Sequence, residues 1–177
     1  MSSFEITLMN LYLLRHAKAE ELGATDSRRD CDRALLPEGI KRMRRVAGGM
    51  AALELRFDAI LSSPFVRAKQ TAEIVTKTFA CPKKLQLLVA LEPDSDPDDT
   101  VEYLRQFRRG SDDVLLVGHE PHLSRLVSAL VAGGSALGLN FKKAGLCKLS
   151  VGLRRRSVGA QLEWLLTPRQ LDKLAGK

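Results

Sequence analysis

Four short apolar runs, each stopping abruptly at polar residues, set the strongest constraint on the fold of this chain. We predict that these runs are β-strands: Leu11–Leu14, Asp58–Leu61, Leu85–Leu91 and Asp113–Val117. A mainly apolar run of this length is typical of a strand that is buried on both faces, as in a parallel sheet. Segments with the apolar spacing of helices separate the runs, so the element order favours a mostly parallel sheet covered by helices on both faces.

The remaining elements follow from the same patterns. The predicted helices are Pro37 to about Leu55, about Val66 to Phe79, Thr100 to Arg109 and His122 to Val131. Two later strands, Gly145–Leu153 and Gly159–Leu166, are predicted to form an antiparallel hairpin that turns near residues 154–158, with a short helix in the tail from Thr167 to Lys177. We therefore expect residues 1–177 to form a single α/β domain, a three-layer α/β/α sandwich that ends in this hairpin.

The first strand delivers two polar residues, Arg15 and His16, to a place where ligands commonly bind. In open parallel sheets, ligands lie just beyond the carboxyl ends of the strands. An arginine there offers a planar, permanently charged set of donors that suits phosphate. A histidine offers a nitrogen nucleophile, and an adjacent arginine lowers the pKa of that histidine because like charges disfavour the imidazolium.

Two more strand ends carry residues of the same chemistry. The second strand runs into Ser62-Ser63-Pro64, and the helix that follows has Arg67 in its first turn. We expect Ser62 or Ser63 to cap that helix. The fourth strand ends on Gly118-His119. Two arginines and two histidines would thus meet at one edge of the sheet, which predicts a phosphate-binding pocket.

These segments, taken in order, resemble the histidine phosphatase superfamily, whose members are phosphoglycerate mutase-like in fold, and in particular its small SixA-type branch. The matching segments are LYLLRHAKAE, Asp30-Cys31-Asp32-Arg33 with Leu35 and Gly39, LSSPFVRAKQTAEI (61–74), LLVGHEPHLSRL (115–126) and FKKAGLCKLSV (141–151). The resemblance implies that His16 is the nucleophile and becomes phosphorylated. It also implies that Arg15, Arg67 and His119 hold the phosphoryl oxygens, that water then hydrolyses the phosphohistidine, and that no metal or cofactor takes part.

Some positions depart from the family pattern or leave their role open. Ala17 stands where larger members have glycine, and Leu36 stands where threonine is common, which puts a helix cap in doubt. Lys18 either faces the pocket and binds substrate or lies in solvent. Asp30 and Arg33 are expected to shape their loop through a salt bridge. We expect His122 to be structural or solvent-facing.

The general acid for an ester substrate is the least defined role. Hydrolysis of an ester needs a proton for the alkoxide leaving group, usually from a carboxyl group. Glu92, after the third predicted strand, and Glu120, beside His119, are the two candidates, and for Glu120 an ordinary surface carboxylate is the favoured interpretation. An imidazole leaving group has less need of such an acid, which favours phosphohistidine as the substrate.

Composition narrows the class of partner. Lys and Arg exceed Asp and Glu by 7 (28 against 21), which favours acidic partners such as phosphorylated ligands. Aromatic residues make up only 5% and the basic residues are dispersed, so nucleic-acid binding is not expected. No apolar run reaches the roughly 18 residues of a membrane span, and the N-terminus is unlike a signal peptide. Three widely spaced cysteines without metal-ligand spacing favour a reduced, cytoplasmic protein.

The leading hypothesis is therefore a phosphatase for phosphohistidine in a protein, with a histidine phosphotransfer domain of a signalling system as the expected partner. The first alternative is a phosphatase for small phosphate esters or other phosphoproteins. A second alternative is a phosphate-recognition module without catalysis, although a module that only binds has no need of a nucleophile. The sequence gives no indication of oligomeric state.

Overall fold

The computed structural model describes residues 7–23, 29–106, 113–134, 137–153 and 158–176. Within these residues one sheet of six strands runs in the order β3-β2-β4-β1-β5-β6. The strands are β1 (Thr7–Arg15), β2 (Ala59–Ser62), β3 (Leu85–Leu87), β4 (Asp113–Gly118), β5 (Leu146–Leu153) and β6 (Val158–Leu166). The first four strands pair in parallel, whereas β5 is antiparallel to β1 and β6 is antiparallel to β5. The predicted parallel sheet with a C-terminal antiparallel hairpin is confirmed.

Five helices accompany the sheet in the described residues: α1 (Pro37–Ala52), α2 (Val66–Thr78), α3 (Pro97–Gln106), α4 (His122–Ala132) and α5 (Pro168–Ala175). Gly133 ends α4 in the left-handed conformation that glycine tolerates best. The last residues of the helix predicted to end at Arg109, and the hairpin turn predicted near 154–158, lie at least partly outside the described residues. None of the described helices is long and apolar enough to cross a membrane.

Helices cover both faces of the sheet, as predicted. Because side chains alternate along a strand, Leu14 of β1 packs in a buried cluster with residues of α1, α2 and α5 such as Met43. Its neighbour Leu13 points to the opposite face and packs in a second cluster that includes Leu104 of α3 and Leu123 of α4. These two buried clusters account for the mainly apolar character of the central strands.

Several predicted boundaries were wrong: β1 begins at Thr7 rather than Leu11, and α1 ends at Ala52 rather than near Leu55. Two others were wrong for local reasons. The strand predicted over Leu85–Leu91 ends at Leu87, and a 3₁₀ turn follows over Val89–Leu91. The neighbouring strand β2 ends at Ser62, whose carbonyl accepts from the backbone N–H of Leu88 at 2.8 Å, so further residues have no strand to pair with. Helix α3 begins at Pro97 rather than Thr100, and Asp96 accepts a hydrogen bond from the Asp98 N–H near its start.

The register of the parallel strands brings their carboxyl ends level with one another. Arg15 of β1 lies opposite Gly118 of β4, and Ser62 of β2 lies opposite Val117 of β4. The residues that immediately follow these strands therefore emerge side by side at one edge of the sheet. This is the edge where the sequence places the candidate site.

Helix α1 approaches the exit of β1 so closely that only glycine fits at Gly39. A Cβ atom at this position would lie 2.1 Å from the carbonyl oxygen of Lys18. The same carbonyl accepts a hydrogen bond from the N–H of Leu36, at 3.0 Å. Leu36 is the N-cap residue of α1 and supplies no side-chain cap, in agreement with the doubt raised by its departure from the family pattern.

Candidate active site

His16 is held as a neutral imidazole with one nitrogen available for reaction. Its backbone N–H donates to the Gly118 carbonyl at 3.0 Å, which ties the exit of β1 to the end of β4. Its Nδ1 atom lies 2.7 Å from the carbonyl oxygen of Ala17. A carbonyl only accepts, so Nδ1 carries the hydrogen and the lone pair lies on Nε2. Burial, together with the nearby charges of Arg67 and Arg15, lowers the His16 pKa to about 3 although the Ala17 hydrogen bond opposes that shift.

Arg15 is anchored through one end of its guanidinium group. Its Nη1 atom donates to the carbonyl oxygen of Phe141 at 2.7 Å. Its Nε atom is buried, and no described residue offers it a hydrogen-bond partner. Burial lowers the Arg15 pKa, and the negative charge of Glu120 partly opposes this change. An arginine nonetheless remains charged at neutral pH.

Arg67 is held by both atoms at the end of its guanidinium group. Nη1 donates to the Asp30 carbonyl oxygen at 2.7 Å, and Nη2 donates to the Asp30 carboxylate at 2.8 Å. The guanidinium carbon also lies 5.0 Å from the centre of the Phe65 ring. The buried Nε atom has no partner among the described residues. Burial lowers the Arg67 pKa, against the opposing effect of Asp30.

His119 stands next to His16, with ring centres 5.0 Å apart. Its Nε2 atom lies 2.9 Å from the Ser63 hydroxyl oxygen, which also accepts a hydrogen bond from the Phe65 N–H at 3.3 Å. The hydroxyl hydrogen is then free to point at Nε2, an arrangement that leaves the hydrogen of His119 on Nδ1. Burial, the neighbouring His16 and Arg67 lower the His119 pKa to about 2, so this ring is neutral as well.

Three buried nitrogen atoms of this cluster are without partners in the part of the chain that the structure describes: Arg15 Nε, Arg67 Nε and His119 Nδ1. A buried donor left unpaired costs about 1–3 kcal/mol, so native proteins seldom keep several together. Each of the three can donate a hydrogen bond to an oxyanion. Charged and neutral donors of this kind, beside a neutral imidazole, are suited to binding a phosphoryl group.

The structure assigns Ser63 and Asp30 roles that sequence reasoning missed. The prediction that Ser62 or Ser63 caps α2 was wrong, because Phe65 is the N-cap residue and α2 has no side-chain cap. Ser63 instead orients His119, and the Ser62 hydroxyl donates to the Ser63 carbonyl at 2.9 Å. The predicted salt bridge between Asp30 and Arg33 is present at 2.8 Å, but the same carboxylate also positions Arg67.

Lys18 is not part of this cluster. Its side chain is 54% exposed, and its amine forms an ion pair with Glu38 at the start of α1. It lies at the mouth of a neighbouring cleft. Of the two interpretations of Lys18, the structure therefore favours an exposed residue over a phosphoryl ligand.

The two candidate acids are placed differently. Glu120 accepts hydrogen bonds from the backbone N–H and the hydroxyl of Ser124, at 3.1 and 2.5 Å, so its carboxylate braces the first turn of α4. Glu92 is half-buried after the 3₁₀ turn, and its backbone N–H donates to the Val89 carbonyl at 2.9 Å. Within the described residues no hydrogen bond or ion pair joins either carboxylate to His16 or His119. Glu92 as a general acid stays a prediction.

His122 is buried and fully engaged in the fold. Its Nε2 lies 3.2 Å from the Thr100 hydroxyl, and its Nδ1 lies 3.1 Å from the Ser95 carbonyl. The structural interpretation of His122 is confirmed, and the solvent-facing one is wrong. For metals, the described residues hold no group of three His, Cys, Asp or Glu side chains that could bind an ion.

Comparison with known proteins places this chain in a family. A model of the histidine phosphatase superfamily (branch 1) matches residues 11–89. The chain is 30% identical over 126 residues to the phosphohistidine phosphatase SixA of Escherichia coli K12, covering 71% of this chain and 76% of that one. It is 35% identical over 148 residues to an uncharacterized protein of Picosynechococcus, covering 83% and 88% of the two chains.

A solved structure agrees with the sequence relatives. The protein histidine phosphatase SixA complexed with tungstate superimposes with a TM-score of 0.77 at 27% identity, covering 92% of this chain and 99% of that one. The chain belongs to the histidine phosphatase superfamily. Within it, the protein is of the SixA type.

Proposed function

We propose that this protein removes phosphate from phosphohistidine in another protein, with a histidine phosphotransfer domain of a signalling system as its partner. The observation that carries the proposal is the pairing of a neutral His16, its Nε2 available, with three buried nitrogens that lack partners among the described residues. These nitrogens belong to Arg15, Arg67 and His119. The site is thus prepared to accept a phosphoryl group and to form a bond to its phosphorus.

In the first step the His16 Nε2 lone pair attacks phosphorus. The P–N bond to the substrate imidazole breaks as the new bond forms. The substrate histidine, whose other ring nitrogen already carries a proton, retains the electron pair and leaves as a neutral imidazole. The negative charge of the phosphoryl oxygens is stabilised by the guanidinium groups of Arg15 and Arg67 and by the His119 Nδ1–H. Because Nδ1 of His16 stays bonded to the Ala17 carbonyl, the ring keeps its orientation throughout.

In the second step water attacks the phosphorus of phosphorylated His16. The P–Nε2 bond breaks, its electron pair returns to Nε2, and the water oxygen becomes part of inorganic phosphate. The hydrogens of that water stay on the phosphate or pass to solvent. The same donors stabilise the phosphoryl oxygens in both transfers. The enzyme thereby returns to the state in which Nε2 is free.

Two arguments favour phosphohistidine over an ester. The first transfer exchanges one phosphorus–imidazole bond for another, so little free energy is lost between substrate and intermediate. An alkoxide leaving group, in contrast, requires a positioned acid. Of the two candidate acids, Glu120 is engaged with α4, and no hydrogen bond or ion pair joins the Glu92 carboxylate to the cluster in the described residues. The relative in Escherichia coli K12, a phosphohistidine phosphatase by name, supports the same substrate class.

The proposal is tested by phosphate release at neutral pH from two sets of substrates. One is a histidine-phosphorylated phosphotransfer domain; the other comprises a phosphoserine peptide and a panel of sugar phosphates. We expect fast release from the first set only. Fast release from the esters would mean that an acid operates in the site, and Glu92→Gln would then identify it. Absence of release from every substrate, under conditions where tungstate binds, would support a recognition module instead.

A further inference from the structure

A cleft of about 270 Å³ opens beside the cluster, between the start of α1, the 142–144 turn and the start of α5. Three cationic side chains line it, those of Lys18, Arg42 and Lys143, together with one acidic side chain, that of Glu38. We propose that this cleft binds acidic side chains that flank the phosphorylated residue of the protein substrate. The inference rests on the proposed function, and it adds a substrate-binding site separate from the phosphoryl pocket.

Backbone hydrogen bonds connect the cleft to the candidate active site. Ala144, which lines it, donates its N–H to the carbonyl oxygens of Arg15 and His16, at 3.0 and 3.2 Å. Lys143 precedes Ala144, and its charge is among those that act on the His16 imidazole. On the other wall, Lys18 is two residues beyond His16. Consecutive Cα atoms are about 3.8 Å apart, so in an extended chain the residues one to three positions from a phosphorylated histidine lie within about 11 Å of it. We expect these residues to be the ones that enter the cleft.

The side chains that line the cleft carry a net positive charge, because three are cationic and one is acidic. Glu38 is paired with Lys18, and Arg42 lies 3.8 Å from Asp172, a carboxylate that also pairs with Arg45. Lys143 is exposed, and no carboxylate of the described residues forms an ion pair with it. An acidic side chain entering the cleft would therefore meet Lys143 without displacing an existing ion pair.

Complementary charge of this kind determines which substrates bind more than it alters the rate of the chemical step. Exposed ion pairs are individually weak, so the expected effect is on substrate affinity and of moderate size. It should appear in KM for a protein or peptide whose flanking residues are acidic. It should be small for free phosphohistidine, which has no flanking side chains.

The test uses two peptides of one length, each phosphorylated on a single histidine with phosphoramidate. One has glutamates at the flanking positions and the other has glutamines. We expect wild-type enzyme to prefer the glutamate peptide by about tenfold in kcat/KM, mainly through KM. Lys143→Glu should abolish or reverse this preference. Lys83→Glu is the matched control, since Lys83 is exposed in the turn before β3, at the opposite edge of the sheet.

The ratio between the two peptides cancels any effect of a substitution on the chemical step. If Lys143→Glu fails to fold, Lys143→Gln and Arg42→Gln are used and should each reduce the ratio severalfold. Equal kcat/KM for both peptides in an active wild-type enzyme would overturn the proposed role of the cleft and leave the proposed function intact. The same loss of preference in Lys83→Glu would also overturn it. Failure to hydrolyse either peptide or free phosphohistidine would instead refute the proposed function, and the cleft's role with it.

Discussion

Two buried histidines three residues apart, His119 and His122, differ in how their ring nitrogens are satisfied. Both nitrogens of His122 have partners, the Thr100 hydroxyl and the Ser95 carbonyl. His119 has one partner, the Ser63 hydroxyl, and its Nδ1 is buried without one in the described residues. The two rings are equally hidden from solvent, at 1% and 0% exposure. Burial alone therefore does not distinguish a working histidine from a structural one.

The difference lies in what each ring leaves available. His122 joins the 92–100 segment to α4, and replacing it would remove contacts of the fold. His119 stands at the end of β4 with a nitrogen that the described part of the fold leaves unused, in company with two unpaired arginine nitrogens. Unused hydrogen-bonding capacity in a buried site is the signature of a ligand-binding group.

The largest expected effect comes from removing the nucleophile. His16→Ala should lower kcat for phosphohistidine hydrolysis by about 10⁴-fold or more, because no other group can form the phosphoryl intermediate. Tungstate binding, measured by calorimetry, should largely survive, since Arg15, Arg67 and His119 remain. If kcat of His16→Ala stays within tenfold of the wild-type value, His16 is not the nucleophile.

Arg67→Ala should have the next largest effect. The loss of one charged donor to the transferring phosphoryl group is expected to lower kcat/KM by about 10²- to 10³-fold. Arg45→Ala is a suitable control, since Arg45 lies on α1 and pairs with Asp172 away from the cluster. A loss below tenfold in Arg67→Ala, or a similar loss in the control, would place Arg67 outside the reaction centre.

The two histidines themselves give the sharpest contrast. His119→Ala should lower kcat/KM by about 10²-fold, with little change in the free energy of unfolding, because it removes a donor to the phosphoryl group. His122→Ala should lower the free energy of unfolding by about 1–3 kcal/mol, because it removes the donor to the Ser95 carbonyl and leaves a cavity in place of a buried ring, while kcat of the folded enzyme stays within about threefold. Urea denaturation and steady-state kinetics on both variants separate the two roles. The reverse pattern would contradict the comparison.

A further prediction concerns the pH dependence of stability. The pKa values of His16 and His119 are lowered to about 3 and about 2 in the folded state, against about 6.5 in an unfolded chain. Between these values the unfolded state binds protons that the folded state does not, so the free energy of unfolding falls as pH drops from about 6.5 toward 3.

Replacing one of these rings should make that dependence shallower. Each histidine contributes up to about 1.4 kcal/mol per pH unit within the window. His119→Ala should therefore lose less stability than wild type between pH 6 and pH 4, as measured by urea midpoints. An unchanged slope would mean that His119 is protonated in the folded protein.

Much of the fold was predictable from short-range pattern. The apolar runs identified β1, β2 and β4 because these strands are buried on both faces, and Pro37 marked the start of α1 through its own backbone preference. The end of β3 was not predictable in this way. It depends on where β2 stops offering hydrogen bonds, which is a property of the sheet and not of the segment itself.

The residues of the candidate site also separate into those that local sequence could predict and those that depend on long-range contacts. Arg15, His16, Arg67 and His119 were predicted as site residues because each lies at or shortly after a strand end, and parallel strands bring those ends together. The roles of Ser63 and Asp30 depend on contacts across 56 and 37 residues of sequence. No local pattern reports such contacts, and Ser63 was accordingly predicted to cap a helix.

The most direct test of the account is to locate the phosphoryl group on the enzyme during turnover. Enzyme mixed with a histidine-phosphorylated phosphotransfer domain would be quenched at alkaline pH within milliseconds and examined by mass spectrometry. We predict an acid-labile phosphoryl group on His16 that is absent in His16→Ala and longer-lived in His119→Ala. A phosphoryl group on another side chain, or the same labelling in His16→Ala, would contradict the account.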